Sequence, residues 1–227
     1  MKKFDVEYVN EMKAEFVAIL STVKREGITD LINWLEESDF YEAPASSKYH
    51  NAFPSGLLDH VINTYYNLKS LVYAKGLDKI IDEESIIICG LLHDLDKVDC
   101  YEKGFKNVKK YHDNGKKKDE GGKFDWVVEE SYFKKDRDFY YGNHEANSVY
   151  LIRQYINLTK EEEMAIMHHH GGKGYDSMQI NLTPIWDKTP LAILLHIADL
   201  MSTFVDESED TCSKIQESMK EEVVDNE

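Results

Sequence analysis

No apolar run in these 227 residues approaches the roughly 20 needed to cross a bilayer as a helix, so no membrane partner is expected. The opening MKKFDVEYVNEMKAEF meets acidic residues where a secretion signal would continue apolar, and the expected location is therefore cytoplasmic. Cysteine is scarce: Cys89, Cys100 and Cys212 are an odd number without framework spacing, which excludes a disulfide scaffold and any cysteine-based zinc motif. Only 4 prolines are present, against 42% hydrophobic and 11% aromatic residues, a balance that excludes a disordered chain. Positive charge is also short. A formal net charge of -16 works against unaided binding of long nucleic acid, whose affinity comes mainly from neutralised phosphates.

That charge is unevenly spread. Asp206 to Glu227 holds nine acidic residues and two lysines, whereas Lys103 to Lys123 holds eight lysines against Asp113, Asp119 and Glu120. The lysine run reads either as a solvated hairpin or as a positive rim that draws in an anionic substrate.

Apolar residues at helical spacing predict a front helical hairpin, with Phe16, Ile19, Leu20 and Val23 on one arm and Ile28, Leu31, Ile32 and Leu35 on the other, split by Gly27. EAPASSKYHNAFPSG has no period and predicts a loop, followed by a helix from about Leu57 to Ala74. Asp82 to Lys97 has no polar face around Ile86, Ile87, Ile88, Leu91 and Leu92, the mark of a helix buried on all sides. Residues 104 to 135 turn β-prone. A capping box, Thr159 with Glu162, opens a helix running into MHHHGG, and Thr189 with Pro190 opens LLHIADL. The expected fold class is all-α, with room for a small β-hairpin near residues 104–135. The expected organisation is a hairpin over 1–45, a main domain over 46–207 and an acidic tail over 208–227.

His93 and Asp94 close the apolar run IIICGLL, Asp199 stands inside an apolar helix, and His60 lies between Leu58 and Val61. An ionised carboxylate in such surroundings costs several kcal/mol or more unless it is paired or bound to a cation, as Coulomb and solvation arguments both require. Each residue alone could be a hydrogen-bonded core group. Four on three separate segments are explained together by one metal ion, and imidazole with carboxylate suits Mn, Fe, Co, Ni or Zn better than Mg.

GLLDH, then GLLHDLDK, then the late aspartate of LLHIADL resemble the HD-domain superfamily of metal-dependent phosphohydrolases over roughly Ser47 to Glu207. The resemblance implies an orthogonal helical bundle with His60, His93, Asp94 and Asp199 as metal ligands. GNHEANS, with His144, and IMHHHGG, with His169, look like the further histidines of members that hold a second metal, which would make Asp94 a bridging ligand. The glycine-tyrosine-proline signature of the cyclic-di-GMP group is missing. Lys97 resembles the lysine of an HDxxK motif and is assigned with Asp94 to catalysis, and with His50 and His170 to substrate binding. His168 reads as a surface residue and His196 as a core or supporting group.

The function implied is hydrolysis of a small nucleotide or related phosphate ester by metal-activated water, with one or two divalent transition-metal ions; Mg is also admitted, as is a short single-stranded oligonucleotide substrate. Two rival readings share the ligand string: a di-iron oxygenase and a non-catalytic nucleotide-binding sensor. Phe53, Tyr49 and Trp126 are candidates to stack on a base.

Overall fold

The computed structural model describes residues 4–136, 143–171 and 181–208. Helices α1 (Val6–Leu20) and α2 (Ile28–Glu37) form the front hairpin. Between them Gly27 takes φ +89°, and a Cβ there would lie 1.9 Å from the carbonyl oxygen of Tyr155, so only glycine fits. Helix α3 (Gly56–Ala74) follows the irregular loop, and α4 (Glu83–Leu92) crosses it; at the crossing Gly90 lets α4 approach the Tyr65 backbone, where a Cβ would meet Tyr65 Cα at 2.6 Å. Helices α5 (His144–Ile152), α6 (Lys160–Met167), α7 (Thr183–Lys188) and α8 (Pro190–Met201) complete the helical part.

One apolar core joins α1, α2, α3, α4, α6 and α8. Ile86, Ile88, Leu91 and Leu92 of α4 are fully buried, each worth roughly 1.5–3 kcal/mol of transfer free energy. No described helix is long and apolar enough to cross a membrane.

The all-α expectation is wrong. A three-stranded antiparallel sheet of β1 (Tyr101–Tyr111), β2 (Lys117–Asp119) and β3 (Gly122–Lys134), in the order β1-β3-β2, makes the fold mixed α/β. β1 and β3 pair over eleven positions, from Tyr101↔Lys134 to Tyr111↔Phe124. The physical reason lies in cross-strand pairs rather than a core. One face carries Lys109 opposite Trp126 and Tyr111 opposite Phe124, with the Lys109 ammonium 4.7 Å from the Phe124 ring centre and 5.7 Å from that of Trp126. The sheet's base is buried as a small cluster of Cys100, Tyr101 and Tyr132, and towards its tip Phe124 is buried beneath Lys109 and its ring neighbours.

Helix α4 also stops sooner than its apolar pattern suggests. It ends at Leu92; His93 caps it, and a 3-10 turn, Leu95–Lys97, follows Asp94. At its other end the chain differs as well: α8 runs into a π-helical turn, Ser202–Asp206, closed by the Glu207 amide donating to Ser202 O at 2.9 Å. Such widened turns are frequent at functional sites. Ser202 Oγ anchors the turn, accepting from Thr64 Oγ1 at 3.1 Å and from Asn67 Nδ2 at 3.0 Å. Cys89 and Cys100 are buried thiols that form no disulfide among the described residues, while Cys212 and the tail beyond Ser208 lie outside them.

Candidate metal centre

The six expected ligands come from five segments and meet around one carboxylate. α3 carries His60, the end of α4 carries His93 and Asp94, the first turn of α5 carries His144, the turn after α6 carries His169, and α8 carries Asp199. His60, His93 and His169 are fully buried, and Asp94 and Asp199 are nearly so.

The two oxygens of Asp94 face different histidines. Oδ2 lies 3.4 Å from His60 Nε2 and 3.6 Å from His93 Nε2; Oδ1 lies 3.6 Å from both His144 Nε2 and His169 Nε2. Asp199 spans the same two groups, with Oδ1 3.2 Å from His60 Nε2 and Oδ2 3.4 Å from His170 Nε2. These separations are too long for coordination of one residue by another and suit atoms arranged around a shared cation.

The outer ring nitrogens explain the convergence. His93 Nδ1 donates to Gly90 O at 3.0 Å and His169 Nδ1 to Ile166 O at 2.7 Å; a carbonyl only accepts, so each Nδ1 carries a proton and Nε2 is the nitrogen turned inward. His60 Nδ1 is bonded to Glu207 Oε1 at 2.7 Å. Glu145 serves two rings: Oε1 accepts from His170 Nδ1 at 3.3 Å, and Oε2 stands 3.3 Å from His144 Nδ1 without hydrogen-bond alignment. Outer partners of this kind orient metal-binding imidazoles.

Inside, donors are missing. Asp94 Oδ1 and Oδ2, His144 Nε2 and His169 Nε2 are buried and make no aligned hydrogen bond among the described residues. Lys97 Nζ, delivered by the 3-10 turn, stands 2.5 Å from Asp94 Oδ2 as an ion-pair partner. Burial works to raise the Asp94 carboxyl, but Lys97 and the surrounding histidines outweigh it and hold it well below the usual carboxylate range. Burial pushes His93 and His144 down to about 3, so both rings are neutral at ordinary pH and could serve as ligands. His60 goes the other way: Glu207, Asp199 and Asp94 together overcome its burial and raise it.

Three overlapping groups around this carboxylate could hold a metal ion: His60, His93 and Asp199; His93, Asp94 and His169; and His144, His169 and His170. The orphaned, inward-facing donors fit that use. His170, expected to touch substrate, stands among the candidate ligands and beside Asp199. The surface reading of His168 is incorrect, because α6 stops at Met167 and the turn to Gly171, at φ +66°, folds His168 into a buried position. His196 supports the site, donating from Nδ1 to His169 O at 2.5 Å and stacking on Trp186.

His50 is brought in by the loop ahead of α3, its ring centre 4.9 Å from that of His60. It lines two adjoining cavities, one of about 410 Å³ that also contains His170 and Asp199, and one of about 310 Å³ that reaches Lys106 and Ser131 at the base of the sheet. Of the candidate stacking aromatics, Tyr49 borders both cavities, Phe53 is buried against the smaller, and Trp126 lies out on the sheet. Of the lysine run, Lys106 alone lines either of these cavities, and Lys109 and Lys110 are paired with Asp119 and Glu129.

Sequence reasoning missed Glu145 and Glu207. Comparison with protein-family models, with curated proteins and with solved structures found no match for this chain.

Proposed function

We propose that this chain is an HD-type metal-dependent phosphohydrolase acting on a nucleotide or a related phosphate compound. The observation that carries the reading is the arrangement of four imidazoles around Asp94, two to each carboxylate oxygen, each with its outer nitrogen facing an oxygen acceptor. In this reading His60, His93, Asp94 and Asp199 would hold one divalent ion, and Asp94, His144, His169 and His170 would hold a second. The imidazole-rich donor set selects Mn, Fe, Co, Ni or Zn over Mg.

Bound ions of this type supply hydroxide near neutral pH and offset the charge of a phosphate. The protein's own residues do the rest. Asp94 sets the spacing of the two ligand groups, and the buried walls built by α3, α4 and α8 exclude bulk water and strengthen every charge interaction inside. Lys97, paired with Asp94, keeps one fixed positive charge beside the carboxylate and can turn to a phosphate oxygen. Hydrolysis joins the oxygen of water to phosphorus, breaks the bond from phosphorus to the leaving oxygen, and moves one proton to that oxygen. No protein nucleophile is needed, and the net negative charge of the chain favours a small substrate over a long polyanion.

The test is phosphate or nucleoside release from a nucleotide panel by metal-stripped protein reloaded with Mn, Co, Ni, Fe, Zn or Mg. Turnover with at least one metal, abolished in Asp94→Ala, supports the proposal. Metal bound by the wild type without turnover of any compound counts against it.

A further inference from the structure

Between the ligand cluster and the base of the sheet lie two buried polar atoms that the proposed reaction leaves unused. The Glu207 side chain is fully buried; its Oε1 takes the His60 Nδ1 proton, while Oε2 has no hydrogen-bond partner among the described residues. His50 Nε2 is likewise buried and without a partner. Ring nitrogens of His50 and His60 and a carboxylate oxygen of Glu207 lie within 4.8 Å of one another, and both residues line both cavities. A buried acceptor left without a donor is costly, and native folds rarely tolerate one unless a ligand or water completes it.

A cation is a poor candidate for this place. His60 already gives Nδ1 to Glu207 and Nε2 to the cluster, so a metal on Nδ1 would need a doubly deprotonated ring, and Lys97 adds a positive charge that acts on His50. A hydroxyl fits better. It donates to a carboxylate oxygen while bonding a neutral imidazole, and with about 2.8 Å to each partner it bridges atoms up to roughly 5 Å apart.

The two cavities add a second constraint. Asp199 lines only the cavity of about 410 Å³, Glu207 and His50 line both it and the adjoining one of about 310 Å³, and Tyr49, 80% exposed, borders both. Glu207 and His50 thus join the Asp199 end to the second cavity, as the sugar joins phosphate to base in a nucleotide. Resting on the hydrolase reading above, we propose that the substrate is a ribonucleotide, whose ribose 2′-hydroxyl bridges Glu207 Oε2 and His50 Nε2 while its base lies against Tyr49. The carboxylate selects for the hydroxyl that a deoxyribose lacks, because removing it leaves both protein atoms unsatisfied.

The experiment compares kcat/KM for matched ribonucleoside and 2′-deoxyribonucleoside 5′-monophosphates, using full-length protein loaded with Mn, in the wild type and in His50→Ala. The metal content of both proteins is measured alongside. A ribo preference of roughly 10–100-fold in the wild type, falling towards unity in His50→Ala at unchanged metal content, supports the inference. A ratio near unity in the wild type, a preference for the deoxy compound, or a ratio that His50→Ala leaves unchanged overturns it. If neither nucleotide is turned over, the hydrolase reading is judged separately on the nucleotide and metal panel above, and calorimetric binding of the same pair decides the inference: tighter ribo binding that weakens in His50→Ala retains it, and equal or absent binding overturns it.

Discussion

Glu207 Oε1 bonds His60 Nδ1 at 2.7 Å across 147 positions of sequence, and it does so only because a π-helical turn after α8 carries the glutamate back over α3. This contact fixes which nitrogen of His60 faces Asp94 and Asp199. Glu207→Ala is expected to weaken binding of the first metal ion by about 10–100-fold, read by competition with a chromogenic chelator. Unchanged affinity would remove the positioning role.

Glu145 has the equivalent place in the second group, between His144 and His170. Its carboxylate is held below the usual range even though burial works to raise it, because His170 and His144 outweigh that burial. Glu145→Ala is expected to lower metal stoichiometry from two ions to one, measured by elemental analysis after gel filtration. Two ions retained in the variant would show that the imidazoles need no such support.

Metal removal has a stability signature. Because the ligands converge only in the folded chain, an ion at about 100 times its dissociation constant stabilises by ~2.7 kcal/mol. For a chain of this size that is a rise in Tm of roughly 5–10 °C, reversed by chelator. Asp94→Ala is expected to show no such shift.

Away from the metal centre, Arg25 grips Glu162 with two bonds of 2.6 Å, and Ser85 Oγ and the Thr159 amide complete the carboxylate at 2.6 and 2.8 Å. Glu162→Ala leaves Arg25 without its main partner in a half-buried place and is expected to cost about 3 kcal/mol in urea melts. Burial tends to raise the Glu162 carboxyl, but these bonds prevail and hold it below its ordinary 4.5. Its folded value therefore lies under its unfolded one. The contribution is present in full above 4.5 and fades as pH falls through the depressed folded value, so the gap between wild type and variant should shrink at acid pH.

Much of the centre was legible because His60, His93, Asp94 and Asp199 interrupt apolar segments that offer no other way to satisfy them. Glu145 and Glu207 gave no such signal. One follows a ligand in a polar stretch and the other opens an acidic tail, and each acts through a contact that only the tertiary fold creates. The end of α4 at Leu92 was hidden for the opposite reason, since Leu95 stands at helical spacing from Leu91 and Leu92 and masks a change from α to 3-10 geometry. The sheet was underestimated because its strands bury little. β2, three residues within a lysine run, has no hydrophobic alternation to reveal it, and the long β1–β3 ladder rests on cross-strand pairing that a single strand's pattern does not display.

The most direct test of the account is the origin of the oxygen gained in the reaction. With metal-loaded protein and its best nucleotide in H2¹⁸O, the account predicts one ¹⁸O per turnover, carried by the product that holds the attacked phosphorus and seen by mass spectrometry or ³¹P NMR, with no dependence on O2. Label entering a product from ¹⁸O2 instead, with none from water at phosphorus, would contradict hydrolysis and assign the same ligands to oxygen chemistry.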